Sequence, residues 1–71
     1  MSVEVEAPFP GTVSKILVSA GDVVNEDDEL VILEAMKMQN PIVAPAGGKV
    51  KEIKVLQNEE VDTGHVLLVL E

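Results

Sequence analysis

The sequence predicts an all-β domain over residues 1–71, folded as a flattened β-barrel or sandwich of two four-stranded units related by a pseudo-two-fold axis. The main observation is an internal repeat, because a gap-free shift of 37 residues aligns residues 7–34 with residues 44–71. The second is that short runs alternate apolar and polar residues, which is the spacing of half-buried strands. The third is that turn-forming residues separate these runs and leave no helical stripe. Because a lone small sheet cannot bury its apolar face, we expect the two copies to pack face to face.

The repeat covers approximately residues 3–34 and 40–71 when the flanking strands are included. The apolar runs at residues 30–33 and 67–70 correspond to each other. Ten of the 28 aligned pairs are identical: Ala7 and Ala44, Pro8 and Pro45, Gly11 and Gly48, Val13 and Val50, Ile16 and Ile53, Val18 and Val55, Val24 and Val61, Leu30 and Leu67, Leu33 and Leu70, and Glu34 and Glu71.

In the first half, residues 3–6 alternate valine with glutamate and predict the first strand. Val13, Ile16 and Val18 mark a second strand. The apolar residues 30–33, which are followed by Glu34, mark a strong third one. Turn residues at positions 8–11, 20–22 and 26–28 separate these segments.

The second half repeats this order. Residues 42–44 form its first apolar run, and Val50, Ile53 and Val55 repeat the spacing of the first half. Residues 67–70 predict the last strand. Turn residues at positions 45–48, 57–59 and 62–64 lie between these segments.

Length and composition exclude several classes of function. A chain of 71 residues buries a thin core and hardly a deep substrate cavity, so we expect no catalytic site of its own. The absence of cysteine removes disulfides, thiolate metal sites and redox pairs. A net charge of -8 disfavours nucleic acids and anionic membranes as partners. Since no apolar run approaches the length of a membrane span, we expect no direct membrane insertion and a cytoplasmic location.

Lys37 lies in the junction that the repeat leaves out, where the chain must reverse between Glu34 and residues 42–44. Two-residue hairpins favour glycine-containing turns because their central residues need positive φ, yet this junction has no glycine. A local rule that fails in this way points to function. A duplicated scaffold that presents one unduplicated lysine between the flexible side chains of Met36 and Met38 indicates a carrier rather than a catalyst.

Residues 34–38, with the sequence EAMKM, resemble the attachment motif of biotinyl domains, the carriers of biotin-dependent carboxylases, decarboxylases and transcarboxylases. The resemblance covers nearly the whole chain. Residues 7–13 (APFPGTV) are similar to the family's opening segment, residues 21–24 (GDVV) to its first-half turn, and residues 44–48 (APAGG) to the entry of its second half.

The resemblance implies a flattened β-barrel in which a biotin protein ligase joins biotin to Lys37 by an amide bond. It implies that the attached biotin carries carboxylate between partner biotin carboxylase and carboxyltransferase or decarboxylase domains or subunits. Met36 and Met38 would help these enzymes to handle the biotin arm, and Glu34 and Ala35 would help to define the ligase's target. The gap-free repeat leaves no room for the protruding thumb of some biotinyl domains, which indicates the thumbless type.

Two alternatives stay open at this level. Lipoyl carrier domains of 2-oxo acid dehydrogenase-type systems share the fold, but they usually show Asp-Lys-Ala around their lysine, which neither methionine matches. An unmodified interaction module would carry no adduct. The parent enzyme's substrate is undetermined, and a membrane-associated complex is expected if that enzyme is a sodium-pumping decarboxylase. A thumbless domain of this kind resembles a C-terminal module of a longer subunit or a small separate carrier subunit.

The remaining candidate residues are interpreted as structural. Residues 26–29 (EDDE) lack the ligand spacing and the glycine of a calcium loop and predict a solvated turn. His65 follows a turn glycine and belongs to no Ser/His/Asp constellation. Phe9, the one aromatic residue, is expected to fill a core or turn contact. Four lysines on polar strand faces are expected to be solvated and unmodified: Lys15, Lys49, Lys51 and Lys54.

The repeat also predicts where the chain ends lie. Adding or subtracting 37 places the counterpart of Lys37 outside residues 1–71, so the open ends of the chain occupy the position that the lysine hairpin has in the other half. If a pseudo-two-fold axis relates the halves, the two ends lie close together at the end of the barrel opposite Lys37.

Overall fold

The computed structural model describes residues 2–71, which form eight strands and no helix. The predicted all-β class is confirmed, and no helix within these residues has the length and apolarity to cross a membrane. All strand pairs are antiparallel, in two four-stranded sheets ordered β1-β8-β6-β3 and β5-β4-β2-β7. The strands are β1 (Val3–Glu6), β2 (Gly11–Ile16), β3 (Val23–Val24), β4 (Glu29–Ala35), β5 (Met38–Val43), β6 (Gly48–Ile53), β7 (Glu60–Val61) and β8 (Val66–Leu70).

The two copies of the repeat are interleaved. The shift of 37 residues relates β1–β4 to β5–β8, and it converts the order of one sheet into the order of the other. Each copy contributes two strands to each sheet, so the copies do not face each other as separate sheets, which corrects that detail of the expectation. Because every sheet needs strands from both halves, neither half has a core of its own.

Backbone hydrogen bonds outside the sheets obey the same pseudo-two-fold relation. Ala7 N donates to His65 O at 2.9 Å, and its counterpart Ala44 N donates to Asp28 O at 2.8 Å. Positive φ angles recur in the same manner: 96° at Gly21 and 73° at Asn58, and 73° at Asp27 and 87° at Gly64. The two halves therefore share backbone conformation even where their side chains differ.

The core lies between the two sheets and is entirely apolar among the described residues. The apolar runs at residues 30–33 and 67–70, which were predicted as strands, supply its centre. Val18 and Val55 were predicted within strands, but β2 ends at Ile16 and β6 at Ile53; Val55 is nevertheless buried and Val18 partly buried. The largest fully buried side chains are Leu30, Leu33, Leu67, Leu68, Leu70, Val13, Val31 and Val50.

Two short strands were not predicted. Residues 23–24, expected as part of a turn, form β3 against β6, and residues 60–61 form β7 against β2. Residues 17–22 connect β2 to β3 and residues 54–59 connect β6 to β7, so neither half carries an insertion that the other lacks. This equality of length is what the thumbless type requires.

The two ends of the described part of the chain, residues 2–71, lie together, as predicted. Val3 pairs with Leu70, and Glu71 exchanges backbone hydrogen bonds with Lys49 at 2.8 and 3.0 Å. Strand β5 leads away from Lys37 for about 20 Å, at roughly 3.3 Å per residue. Residues 44–47 then connect β5 to Gly48, which lies against Glu71. In a molecule 32 Å long and 17 Å in each other direction, the ends therefore lie opposite the β4–β5 hairpin.

Candidate functional site

Lys37 lies at the tip of the β4–β5 hairpin. The ladder between these strands runs from the Glu29 and Val43 pair to the Ala35 and Met38 pair, so the turn consists of residues 36–37 alone. Its φ angles are 53° at Met36 and 64° at Lys37. Positive φ at both central positions is the requirement of a type I′ turn, which asparagine and glycine normally satisfy. Each side chain with a Cβ costs roughly 1–2 kcal/mol in this left-handed region.

The hairpin tip presents apolar side chains to solvent. Met36 is 93% exposed and Met38 is 64% exposed, while Lys37 and Glu34 are also exposed and Ala35 is half-buried. Within residues 2–71, the Lys37 ammonium group makes no salt bridge. The structure therefore brings the five predicted site residues to one end of the molecule, with the lysine exposed at the tip.

The root of the hairpin is held by close backbone packing. A Cβ atom at Gly11 would lie 2.7 Å from the Glu34 carbonyl oxygen, so only glycine lets β2 approach β4 this closely. On the other side, Asn40 Nδ2 donates to Met38 O at 3.2 Å and to Leu33 O at 3.4 Å. Sequence reasoning did not assign either residue a role in the site, although the identity of Gly11 and Gly48 in the repeat was the signal for a constrained backbone.

Two open grooves flank the hairpin root. The larger, of about 480 Å³, has three carboxylates in its lining, from Glu34, Glu60 and Asp62. The smaller, of about 330 Å³, is mainly apolar and is lined by Phe9, Pro10, Ala35, Met36, Met38 and Asn40. Its aromatic residue also packs against the core, which confirms the expected core contact of Phe9. Residues 9 and 60–62 were not predicted beside Lys37, because they are distant from it along the chain. Asn40 is only three residues from Lys37, but no sequence pattern indicated that it lines a groove.

The residues interpreted as structural lie where that interpretation placed them. Lys15, Lys49 and Lys51 are exposed on strands. Lys54 is exposed as well, but it lies just after β6, which ends at Ile53, and it pairs with Glu52 at 3.1 Å on the surface. The acidic residues 26–29 are exposed and contain a turn. His65 is half-buried, with Nε2 3.7 Å from Glu59 Oε2. None of these groups lines either groove beside Lys37.

The chain matches a family model described as "Biotin-requiring enzyme" over residues 3–70. The chain belongs to the biotin/lipoyl family. Of its relatives in this family, a biotin carboxyl carrier protein of Streptococcus mutans is 48% identical over 64 residues, which are 90% of this chain and 49% of that protein. A biotin/lipoyl attachment protein of Bacillus subtilis is 44% identical over 66 residues, which are 93% of this chain and 90% of that protein.

The fold of this biotin/lipoyl domain also recurs in a solved enzyme. It superposes on a single-chain, multi-domain long-chain acyl-CoA carboxylase with a TM-score of 0.91 and 34% identity, over 96% of this chain and 7% of that one. The chain spans about half the length of the Streptococcus mutans relative, which it matches over 49% of that protein. The resemblance read from the sequence is confirmed at the level of family and fold.

Proposed function

We propose that this domain is a non-catalytic biotin carboxyl carrier in which Lys37 Nζ holds biotin through an amide bond. The observation that carries the proposal is the tip itself, where a lysine without an internal partner stands between two exposed methionines on a strained turn. A biotin carboxyl carrier protein and a carboxylase are among the proteins to which the chain is similar, which supports the same role.

The chemistry of attachment needs a primary amine that another protein can reach. In a ligase site, the deprotonated amine of Lys37 would attack the acyl carbonyl of adenylate-activated biotin, forming the amide and releasing AMP. The exposed tip fits this requirement, because nothing within the domain has to move aside. When bound, biotin supplies the ureido group on which carboxylate is carried, and the demanding chemistry belongs to the cofactor and its partner enzymes.

The partners we propose are a biotin protein ligase and the biotin carboxylase and carboxyltransferase or decarboxylase units of a biotin-dependent enzyme. Met36 and Met38 would enter apolar pockets of these proteins, since flexible thioether side chains adapt to several surfaces. Glu34 and Ala35, which end β4, would define the approach of the ligase. The tether would raise the effective concentration of the carried group at each active site.

A lipoyl carrier is the competing function, because the Bacillus subtilis relative is named for both kinds of attachment. Intact-mass measurement after incubation with each ligase separates the two. With ATP, we expect one biotin per chain from biotin and biotin ligase, and no adduct from lipoate and lipoate ligase. Lys37→Arg should abolish the adduct, whereas Lys15→Arg, at another exposed lysine, should leave it. A lipoyl adduct, or no adduct under either condition, would overturn the proposal.

A further inference from the structure

The apolar groove beside Lys37 has the chain's one aromatic side chain in its lining. Phe9 and Pro10 form part of its lining, together with Met38 and Asn40 from β5. Phe9 is the chain's single phenylalanine, and there is no tyrosine or tryptophan. The groove begins at the two methionines that adjoin Lys37, so a group on that lysine reaches it without crossing the surface.

The pseudo-two-fold relation provides an internal control for what the fold requires. The counterparts of Phe9 and Pro10 are Ala46 and Gly47, and the counterpart of Asn40 is Val3. Both halves share backbone hydrogen bonds and positive-φ positions, so the scaffold forms with or without an aromatic ring at this place. We conclude that the shared backbone scaffold does not require an aromatic ring or an asparagine at these places, although Phe9 also packs against the core.

We infer that this groove is a resting site for the biotin ring attached to Lys37 of the same chain, an inference that rests on the proposed function. The fused thioether ring of biotin is apolar and would lie against Phe9 and Pro10. The ureido edge carries N–H donors. Since both side-chain hydrogen bonds of Asn40 use Nδ2, its Oδ1 is available to accept one of them.

Size and connectivity favour the chain's own biotin over a side chain of a partner protein. The groove volume of about 330 Å³ lies at the lower end of the range of small-ligand pockets, roughly 300–1,000 Å³. A covalent tether keeps the ring at millimolar effective concentration or higher, whereas a partner must arrive from solution. Because the groove is open to solvent, the docked ring leaves it readily, and the domain shields the apolar ring between visits to active sites.

The test is a comparison of the unmodified and biotinylated domain by NMR, with intact mass measured on the same samples. We expect nuclear Overhauser contacts from the biotin ring protons to the Phe9 ring and the Met38 methyl group. The single phenylalanine makes the ring signals simple to assign. We also expect amide shift changes at residues 9, 35 and 40 and slower hydrogen exchange of the ureido N–H groups than in free biotin amide.

Phe9→Ala, which copies the Ala46 of the other half, should remove these contacts while one biotin per chain is still attached. Leu56→Ala, at an exposed leucine outside the groove, should leave them unchanged. A biotinylated domain without such contacts, with shift changes confined to residues 36–38, would overturn the resting site and leave the carrier function standing. Groove shifts that arise only when a ligase or carboxylase is added would also overturn it. Absence of any adduct would overturn both proposals.

Discussion

At the scale of single residues, the turn at Met36 and Lys37 lowers the stability of the domain while it exposes Lys37 at the hairpin tip. Both residues hold positive φ with a full side chain, and the β4–β5 ladder imposes this conformation. We predict that Met36→Asn stabilises the domain by about 1 kcal/mol, because asparagine tolerates the left-handed region. Urea denaturation followed by circular dichroism measures the change.

The matched control is Met38→Asn, which introduces the same amide side chain at a strand position. That variant should not stabilise the domain, since asparagine is unfavourable in a strand. Equal stabilisation by both variants, or destabilisation by Met36→Asn, would show that the turn is not strained.

The same methionines allow a test of recognition. Replacing Met36 with Asp and Met38 with Ala removes most of the exposed apolar surface at the tip and adds a charge. We predict slower biotin transfer by the ligase or slower carboxylation in the parent system, because the apolar contact with the partner is lost. Rates equal to those of the unchanged domain in both assays would show that the methionines are incidental.

At the scale of elements, the hairpin depends on how closely β2 approaches β4. Gly11→Ala would place a Cβ 2.7 Å from Glu34 O, and Gly48→Ala would place one 2.8 Å from Glu71 O, so the two variants impose nearly the same clash at opposite ends. Each should lower the free energy of unfolding by about 1–3 kcal/mol.

Only Gly11→Ala should also slow biotin transfer, because it displaces the root of the Lys37 hairpin. Ligase kinetics at a temperature where both variants are folded provides the measurement. Equal slowing by Gly48→Ala would mean that loss of stability, rather than the position of the hairpin, explains the effect.

Sequence patterns predicted some strands correctly and missed others. The apolar runs of β4 and β8 were read correctly because their side chains are buried and continuous. Strands β3 and β7 have two residues each, which is too short for an alternation of apolar and polar residues to be recognised. The repeat predicted the symmetry but not the interleaving of strands, since separate and interleaved copies obey the same two-fold relation. The grooves could not be predicted, because each combines segments that are distant along the chain. Phe9, from the connection between β1 and β2, lies beside Asn40 of β5 in one groove, and residues 60–62 lie beside Glu34 in the other.

At the scale of the whole molecule, the chain ends and the lysine hairpin occupy opposite ends. Residues 26–27 and 63–64 are turns related by the 37-residue shift, and only the second adjoins the lysine end, through Asp62 in the acidic groove. We predict that a small folded domain inserted at 63–64 slows biotin transfer strongly. The same insertion at 26–27, or a fusion to Glu71, should not.

Circular dichroism first shows that each of the three chimaeras is folded. Ligase kinetics then tests whether only the insertion near the lysine end slows biotin transfer. Strong slowing by the fusion to Glu71, or no effect of the insertion at 63–64, would contradict the arrangement in which attachment and tethering use opposite ends.

The central claim is that Lys37 alone carries biotin, and peptide mapping by tandem mass spectrometry after exposure to biotin, ATP and biotin ligase tests it most directly. The domain has five lysines, and Lys37 is the one lysine within EAMKM. The modified residue can therefore be assigned from fragment ions. We predict one biotin on the peptide that contains Lys37, none on the other four lysines, and none anywhere in Lys37→Arg. Biotin on Lys15, Lys49, Lys51 or Lys54, or an adduct that persists in Lys37→Arg, would contradict the account.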